Sequence, residues 1–158
     1  MDTITQVTAY LLETLFKGNQ TGFFIEMLAG DGISYSVSHT LESASNWKGI
    51  NIEYRKDHYK SLIRNRPHST NLYLPEYSTT VEFTVKYAKM VEQLKVCQVD
   101  LLCLHSRDIK LKINDLDQAN KKPLVICSEK RVDLGETFHH LYKLVHTIDL
   151  FNIYLKKN

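Results

Sequence analysis

The stretch Phe23 to Ile33, FFIEMLAGDGI, is an apolar run that breaks into two glycines around an aspartate. Glycine at Gly30 and Gly32 lets the backbone approach a ligand closely, and the N–H groups opening a following helix favour polar or anionic groups. About 20 residues further on, INIEY places Glu53 at the end of a second apolar segment. An acid at that spacing can accept both hydroxyls of a ribose, the chemistry of a nucleotide-binding strand–loop–helix–strand unit. The same residues also fit a plainer arrangement: a tight turn at Gly30-Asp31-Gly32 and a solvated strand-end charge at Glu53. A further titratable group, His105, follows the apolar run VDLLCL. With an ordinary pKa near 6.5, it reads either as a general base or as a strand-end histidine that caps backbone groups.

These residues need elements to hold them. Ile4, Val7, Leu11, Leu12 and Leu15 share one face at helical spacing, which predicts an amphipathic helix over Thr3 to Phe16, stopped by Gly18. Phe23 to Leu28 predicts a central strand, Ser36 to Ser45 a second helix, and Ile50 to Tyr54 a second strand. Asp57 is placed to cap a third helix running to Arg64, with Tyr59, Leu62 and Ile63 inward. Strands are expected in HSTNLYL and TTVEFTVKY, a short helix over Ala88 to Leu94, and a buried strand over Val99 to Leu104. Leu111 to Ala119 reads as weakly helical, and Pro123 to Glu129 as a strand. The end of the chain divides at Thr147 to Asp149 into two strands able to pair as an antiparallel hairpin. Strands alternating with helices predict a three-layer α/β fold with a mostly parallel sheet. No linker or repeat interrupts the 158 residues, so a single domain is expected. In such folds ligands bind beyond the carboxyl ends of the strands, near the switch point of strand order.

With 43% hydrophobic and 24% charged residues the composition is that of a soluble globular protein. A formal net charge of +2 gives no electrostatic reason to expect nucleic acid as a partner. Cys97, Cys103 and Cys127 lie in or beside apolar runs without CxxC spacing, which predicts buried free thiols. His139, His140 and His146 lack ligand spacing with any cysteine or acid, so no metal site is expected. Asp100, inside an apolar strand, is assigned structural hydrogen bonds. Tyr54, Tyr59, Tyr73, Tyr77 and Trp47 are assigned to core and rim packing. No stretch approaches the roughly 20 apolar residues of a membrane helix, and the N-terminus does not read as a signal peptide. The chain as it stands is therefore expected to be cytoplasmic. The sequon Asn19-Gln20-Thr21 would matter only if an upstream segment delivered the chain to the secretory pathway.

LFKGNQTGFFIEMLAGDG followed by TLESASNWKGINIEY resembles the opening of the FkbM-type methyltransferase domain, in its Star-like branch. That pattern has a glycine-preceded FFVE, a Gly-Ala-x-Asp-Gly loop, a helix ending before an aromatic-x-Gly, and a strand ending in Ile-Glu. The similarity continues through YKSLIRNRPHS, and VDLLCL, KPLVICSE and YKLVHTIDLFNIYLKK fall in the places of the family's fourth, fifth and last strands. It runs from about Leu15 onward. The resemblance implies a Rossmann-like methyltransferase fold and an S-adenosylmethionine pocket lined by Glu26, Ala29, Gly30, Asp31, Gly32 and Glu53.

The departures fall where the family does its chemistry. Leu28 stands where the family has glycine, and would crowd the methionine end of the cofactor. Arg55-Lys56 replaces a proline that usually follows the acid. The family's acidic Asp-x-Glu-Gly after the fourth strand is here His105-Ser106-Arg107-Asp108. This leaves His105 and Asp108 as the catalytic candidates, beside an arginine that cannot act as a base. The expectation is a degenerate S-adenosylmethionine-dependent methyltransferase-like domain with weak or no methyl transfer. An active form would take a small-molecule or glycan acceptor. A non-catalytic form would bind a protein partner, as a Star-like domain does in secretory trafficking.

Overall fold

Strands that are apolar on both faces need a sheet covered on both sides, and this chain builds one. The computed structural model describes residues 1–75, 82–107 and 109–158. In chain order these form α1 (Thr3–Tyr10), β1 (Phe23–Met27), α2 (Val37–Ala44), β2 (Lys48–Glu53), α3 (Lys56–Asn65), β3 (Thr70–Tyr73), β4 (Glu82–Lys86), α4 (Tyr87–Gln93), β5 (Leu101–Leu104), β6 (Lys110–Asn114), β7 (Val125–Glu129), α5 (Phe138–Leu141), β8 (Tyr142–Ile148) and β9 (Phe151–Lys156). Seven of the strands make one sheet in the order β3-β2-β1-β5-β7-β9-β8. β1 lies between β2 and β5 and is parallel to both, as the apolar runs predicted. The final hairpin also forms as expected, with β9 antiparallel to both β7 and β8.

Alternation along β1 divides the core. Phe24 faces a cluster with Val7, Leu11, Val37, Leu41 and Trp47 from α1, α2 and the approach to β2. Ile25 and Met27 face a second cluster with Phe83, Val85, Val91, Leu111 and Ile113. Trp47 lies edge-on to Phe16 with ring centroids 4.8 Å apart, and Tyr59 stacks on Tyr73 at 5.1 Å, so both aromatic groups pack rather than project. Asp100 holds the start of β1, accepting from Phe23 N at 2.7 Å. Tyr77 lies outside the described residues.

Several expectations are corrected. Residues 110–114 are not helical. They form β6, which pairs in parallel with β4 as a separate two-stranded sheet, and only Leu116–Gln118 is a short 3-10 turn. The alternation of buried Leu111 and Ile113 with outward Lys110 and Lys112 is a strand pattern, and its partner is distant in sequence. The first helix is α-helical only to Tyr10 and widens into one π-turn over Leu11–Leu15. Arg55 rather than Asp57 is the N-cap of α3, although Asp57 in its first turn still complements the helix dipole. Ile63 is exposed and so is Cys97, whereas Cys103 and Cys127 are buried free thiols.

β1 and β2 approach closely at Gly49. A Cβ there would lie 2.2 Å from the Phe24 carbonyl oxygen and 2.5 Å from its ring. Because backbone cannot yield as a side chain can, Gly49→Ala should destabilise the protein by about 1–3 kcal/mol. A lowered midpoint in urea denaturation checks this, and an unchanged midpoint would contradict the packing described for this strand pair.

Candidate functional site

The sheet changes direction of strand order between β1 and β5, so their carboxyl ends frame the crevice where ligands bind in such folds. Past Met27 the chain turns left-handed at Leu28, with φ 57°. That conformation costs a non-glycine residue roughly 1–2 kcal/mol. Burial of the side chain among Met27, Leu104 and their neighbours offsets it. Leu28 therefore packs its side chain in the core cluster.

Beyond Leu28 the loop is fixed by Glu53, the last residue of β2 and fully buried. Its carboxylate accepts from Gly30 N at 2.7 Å, Tyr54 N at 2.8 Å and Arg55 N at 3.0 Å. Glycine loop and acid are thus joined directly, as their spacing suggested, and Glu53 is not a solvated charge. Ala29 is buried and donates to the Ile52 carbonyl at 3.0 Å. Asp31 turns outward and closes a local turn, accepting from Ile33 N at 2.9 Å and Ser34 N at 2.7 Å. Partial burial opposes its ionisation, but these bonds and the charge of Arg107 hold its carboxyl below the usual carboxylate range.

Protein side chains cover the surfaces of both loop glycines. A Cβ on Gly30 would lie 2.8 Å from the Arg107 guanidinium carbon, and Arg107 Nε donates to the Leu28 carbonyl. A Cβ on Gly32 would lie 2.6 Å from Leu62 Cδ1 and 2.8 Å from Arg66 Cγ. The absence of side chains at these glycines is used by the protein's own packing.

Behind the loop lies a buried polar network. Glu26 projects from β1 with no exposure. Its carboxylate takes a bond from Ser36 Oγ at 2.9 Å, Val37 N at 3.1 Å and Ser38 N at 3.3 Å, and one from Ser38 Oγ. The first turn of α2 thus closes around a carboxylate, the charge its dipole favours. His105 Nε2 meets Glu26 Oε1 at 2.7 Å, with its ring edge-on to Phe151 at 5.8 Å. Arg66, the C-cap of α3, is buried beside them. Its Nη1 donates to the Gly32 carbonyl at 3.1 Å and to both serine hydroxyls at 3.2 Å, while Nε pairs with Glu42 at 3.1 Å. Burial is the largest influence on Glu26 and opposes its charge. The hydrogen bond and charge of His105, with Ser38 and Arg66, outweigh it and bring the carboxyl down to about 2.

His105 is therefore neither a backbone cap nor an exposed base, since it is 1% exposed and paired with Glu26. Asp108 lies outside the described residues. Three residues not singled out in the sequence turn out to matter: Ser36, Arg66 and Glu129. Glu129, at the end of β7, accepts from Ser106 N and from Arg107 N at 3.4 Å, fixing the loop that carries the arginine. An acid ending an apolar strand was a readable signal there, as it was at Glu53. Arg66 is marked in the sequence only by the Asn-Arg pair within the stretch YKSLIRNRPHS, and its partners lie on other elements. Among the described residues no group of three His, Cys, Asp or Glu side chains could hold one metal ion. No helix among them is long and apolar enough to cross a membrane.

Solved structures share this architecture. An RNA methyltransferase from Salinibacter ruber in complex with S-adenosyl-L-homocysteine matches with TM-score 0.52 and 14% identity over 94% of this chain and 88% of that one. A candidate methyltransferase from Escherichia coli matches with TM-score 0.55 and 10% identity over 99% and 86%. A candidate methylase from Haemophilus influenzae matches with TM-score 0.53 and 14% identity over 100% and 90%. The chain thus has the Rossmann-like fold of class I methyltransferases. No family model and no curated protein sequence matches it.

S-adenosylmethionine, the cofactor of that fold class, fits these residues only in part. Glu53 is placed beside the glycine loop, but the cradle at Gly30 is filled by a guanidinium. The Glu26 network also sets an acid limit on stability. A carboxyl held at about 2 in the fold against an ordinary 4.5 stabilises the protein fully above pH 4.5, and that contribution fades as pH falls towards 2. Its size is on the order of 3 kcal/mol. Glu26→Gln should lose most of this near neutrality, and the gap to the native protein should narrow below pH 4.5, as read by thermal melts across pH. A gap independent of pH would contradict an ionised Glu26.

Proposed function

We propose that this chain is a degenerate methyltransferase-like domain, with weak or no methyl transfer, whose cofactor site is closed by its own Arg107. The observation that carries this reading is the guanidinium lying in the Gly30 cradle, 2.8 Å from where a Cβ would stand. A second cation belongs badly beside a sulfonium: two unit charges about 5 Å apart, at an effective dielectric of about 20, repel by roughly 3 kcal/mol. Arg107 can leave only by giving up its bond to the Leu28 carbonyl. If it does, Glu53 stands where a ribose hydroxyl could be met, and Gly30 and Gly32 would flank the rest of the cofactor.

His105 is poorly placed to serve as a base, because it is 1% exposed and lies in the core beside Glu26. An acceptor hydroxyl would have no acid pair to orient it, which typically forfeits a hundredfold or more in rate. The FkbM-like motifs around Phe23 to Glu53, together with the altered His105 to Asp108 stretch, support a place beside the family's non-catalytic, protein-binding members. A single domain over the whole chain accords with the continuous sheet order.

Calorimetric titration with S-adenosylmethionine and S-adenosylhomocysteine tests the closed site. Arg107→Ala should bind S-adenosylmethionine at least tenfold more tightly than the native chain, with a smaller gain for the uncharged sulfide product. A radiolabelled-methyl assay over glycans, small alcohols and amines should give no robust turnover with the native protein. Tight native binding accompanied by turnover would sink the proposal.

A further inference from the structure

On the face of the sheet that carries α4, a cavity of about 410 Å³ is lined by eight apolar and four polar side chains. Its floor is a ladder. Met27 is the register partner of Ile52, and Ile52 of Leu72, so three side chains from β1, β2 and β3 lie in one row on one face. With strands about 4.8 Å apart, that row spans roughly 10 Å. Leu74 extends the floor, Phe83 and Val85 of β4 form one wall, and Met90 and Leu94 of α4 form the other. Leu72, Leu74, Met90 and Leu94 are only half-buried, so the lining offers apolar surface that the described residues leave partly uncovered. The volume falls within the roughly 300–1,000 Å³ of small-molecule sites.

Among the described residues the charged part of the lining has one sign: Lys86 and Lys89 are exposed there, neither forms an ion pair, and no carboxylate lines the cavity. Two methionines suit a flexible tail, since an unbranched thioether adapts its shape to the guest.

From this combination we propose that the cavity binds an amphipathic carboxylate with an alkyl tail: the tail lies along the Met27–Ile52–Leu72 row and the head group meets Lys86 and Lys89. The site shares no residue with the glycine loop, and it stands whether or not the Arg107 reading does. Dodecanoate, used below its micelle concentration, is the probe. The chain contains three methionines, Met1, Met27 and Met90, of which Met1 lies outside the cavity and serves as an internal reference.

In methyl-labelled methionine NMR, dodecanoate should shift Met27 and Met90 saturably and leave Met1 in place. Lys86→Glu with Lys89→Glu, both exposed and so neutral to folding, should weaken dodecanoate at least tenfold. The same double variant should improve binding of dodecylammonium, which the native protein should bind at least tenfold more weakly than dodecanoate. Shifts at Met1 alone, no saturable binding, equal affinity for the two head groups, or an unaltered affinity in the double variant would each overturn the proposal.

Discussion

Everything at the carboxyl edge of the sheet is arranged around one buried charge. Taking the Glu26 carboxylate out of water costs several kcal/mol unless it is fully bonded. Its partners come from elements far apart in the chain: the serines and amides opening α2, the histidine ending β5, and the guanidinium capping α3. Each partner is drawn to a fixed position because the carboxylate has no alternative. Hydrogen bonds to a charged group contribute about 1.5–3 kcal/mol each, so losing any one leaves the others under strain. This is why α2 begins at Ser36 and why His105 folds inward.

The same device recurs at neighbouring strand ends. Glu53 binds the amides of Gly30, Tyr54 and Arg55, and Glu129 binds those of Ser106 and Arg107. Carboxylates that would face a ligand in an open crevice here satisfy the protein's own backbone. Loops tied in this way are well placed. Arg107 lies over Gly30 at φ 46°, its amide donating to Glu129 and its guanidinium bonded to the Leu28 carbonyl.

The opposite face is arranged by different physics. Where α4 and the β4–β6 ribbon stop short, apolar side chains in register are left half-covered, and no buried charge organises them. One face of the sheet thus carries the buried polar network while the other carries the half-covered apolar side chains. The fold is that of class I methyltransferases.

The sequence by itself determined the central strand, the glycine loop with Glu53 beyond it, the parallel sheet and the closing hairpin. These follow from local pattern: continuous apolar runs, glycine where a turn is needed, and spacing that a strand–helix–strand unit must respect. It also carried Leu111 and Ile113 in strand alternation, but over too few residues to settle the element without its partner β4. Only the tertiary structure decided what the polar residues do. Glu26 and His105 are 79 residues apart, as are Arg107 and the Leu28 carbonyl that it binds. Whether a carboxylate faces solvent, a ligand or an amide depends on which groups the sheet order brings within 3 Å, and no local pattern encodes that. The sequence could show that arginine stands where the FkbM-type domains it resembles have an acid. That its guanidinium would come to rest in the cradle of Gly30 follows from β5 lying beside β1, and from nothing shorter-ranged than that.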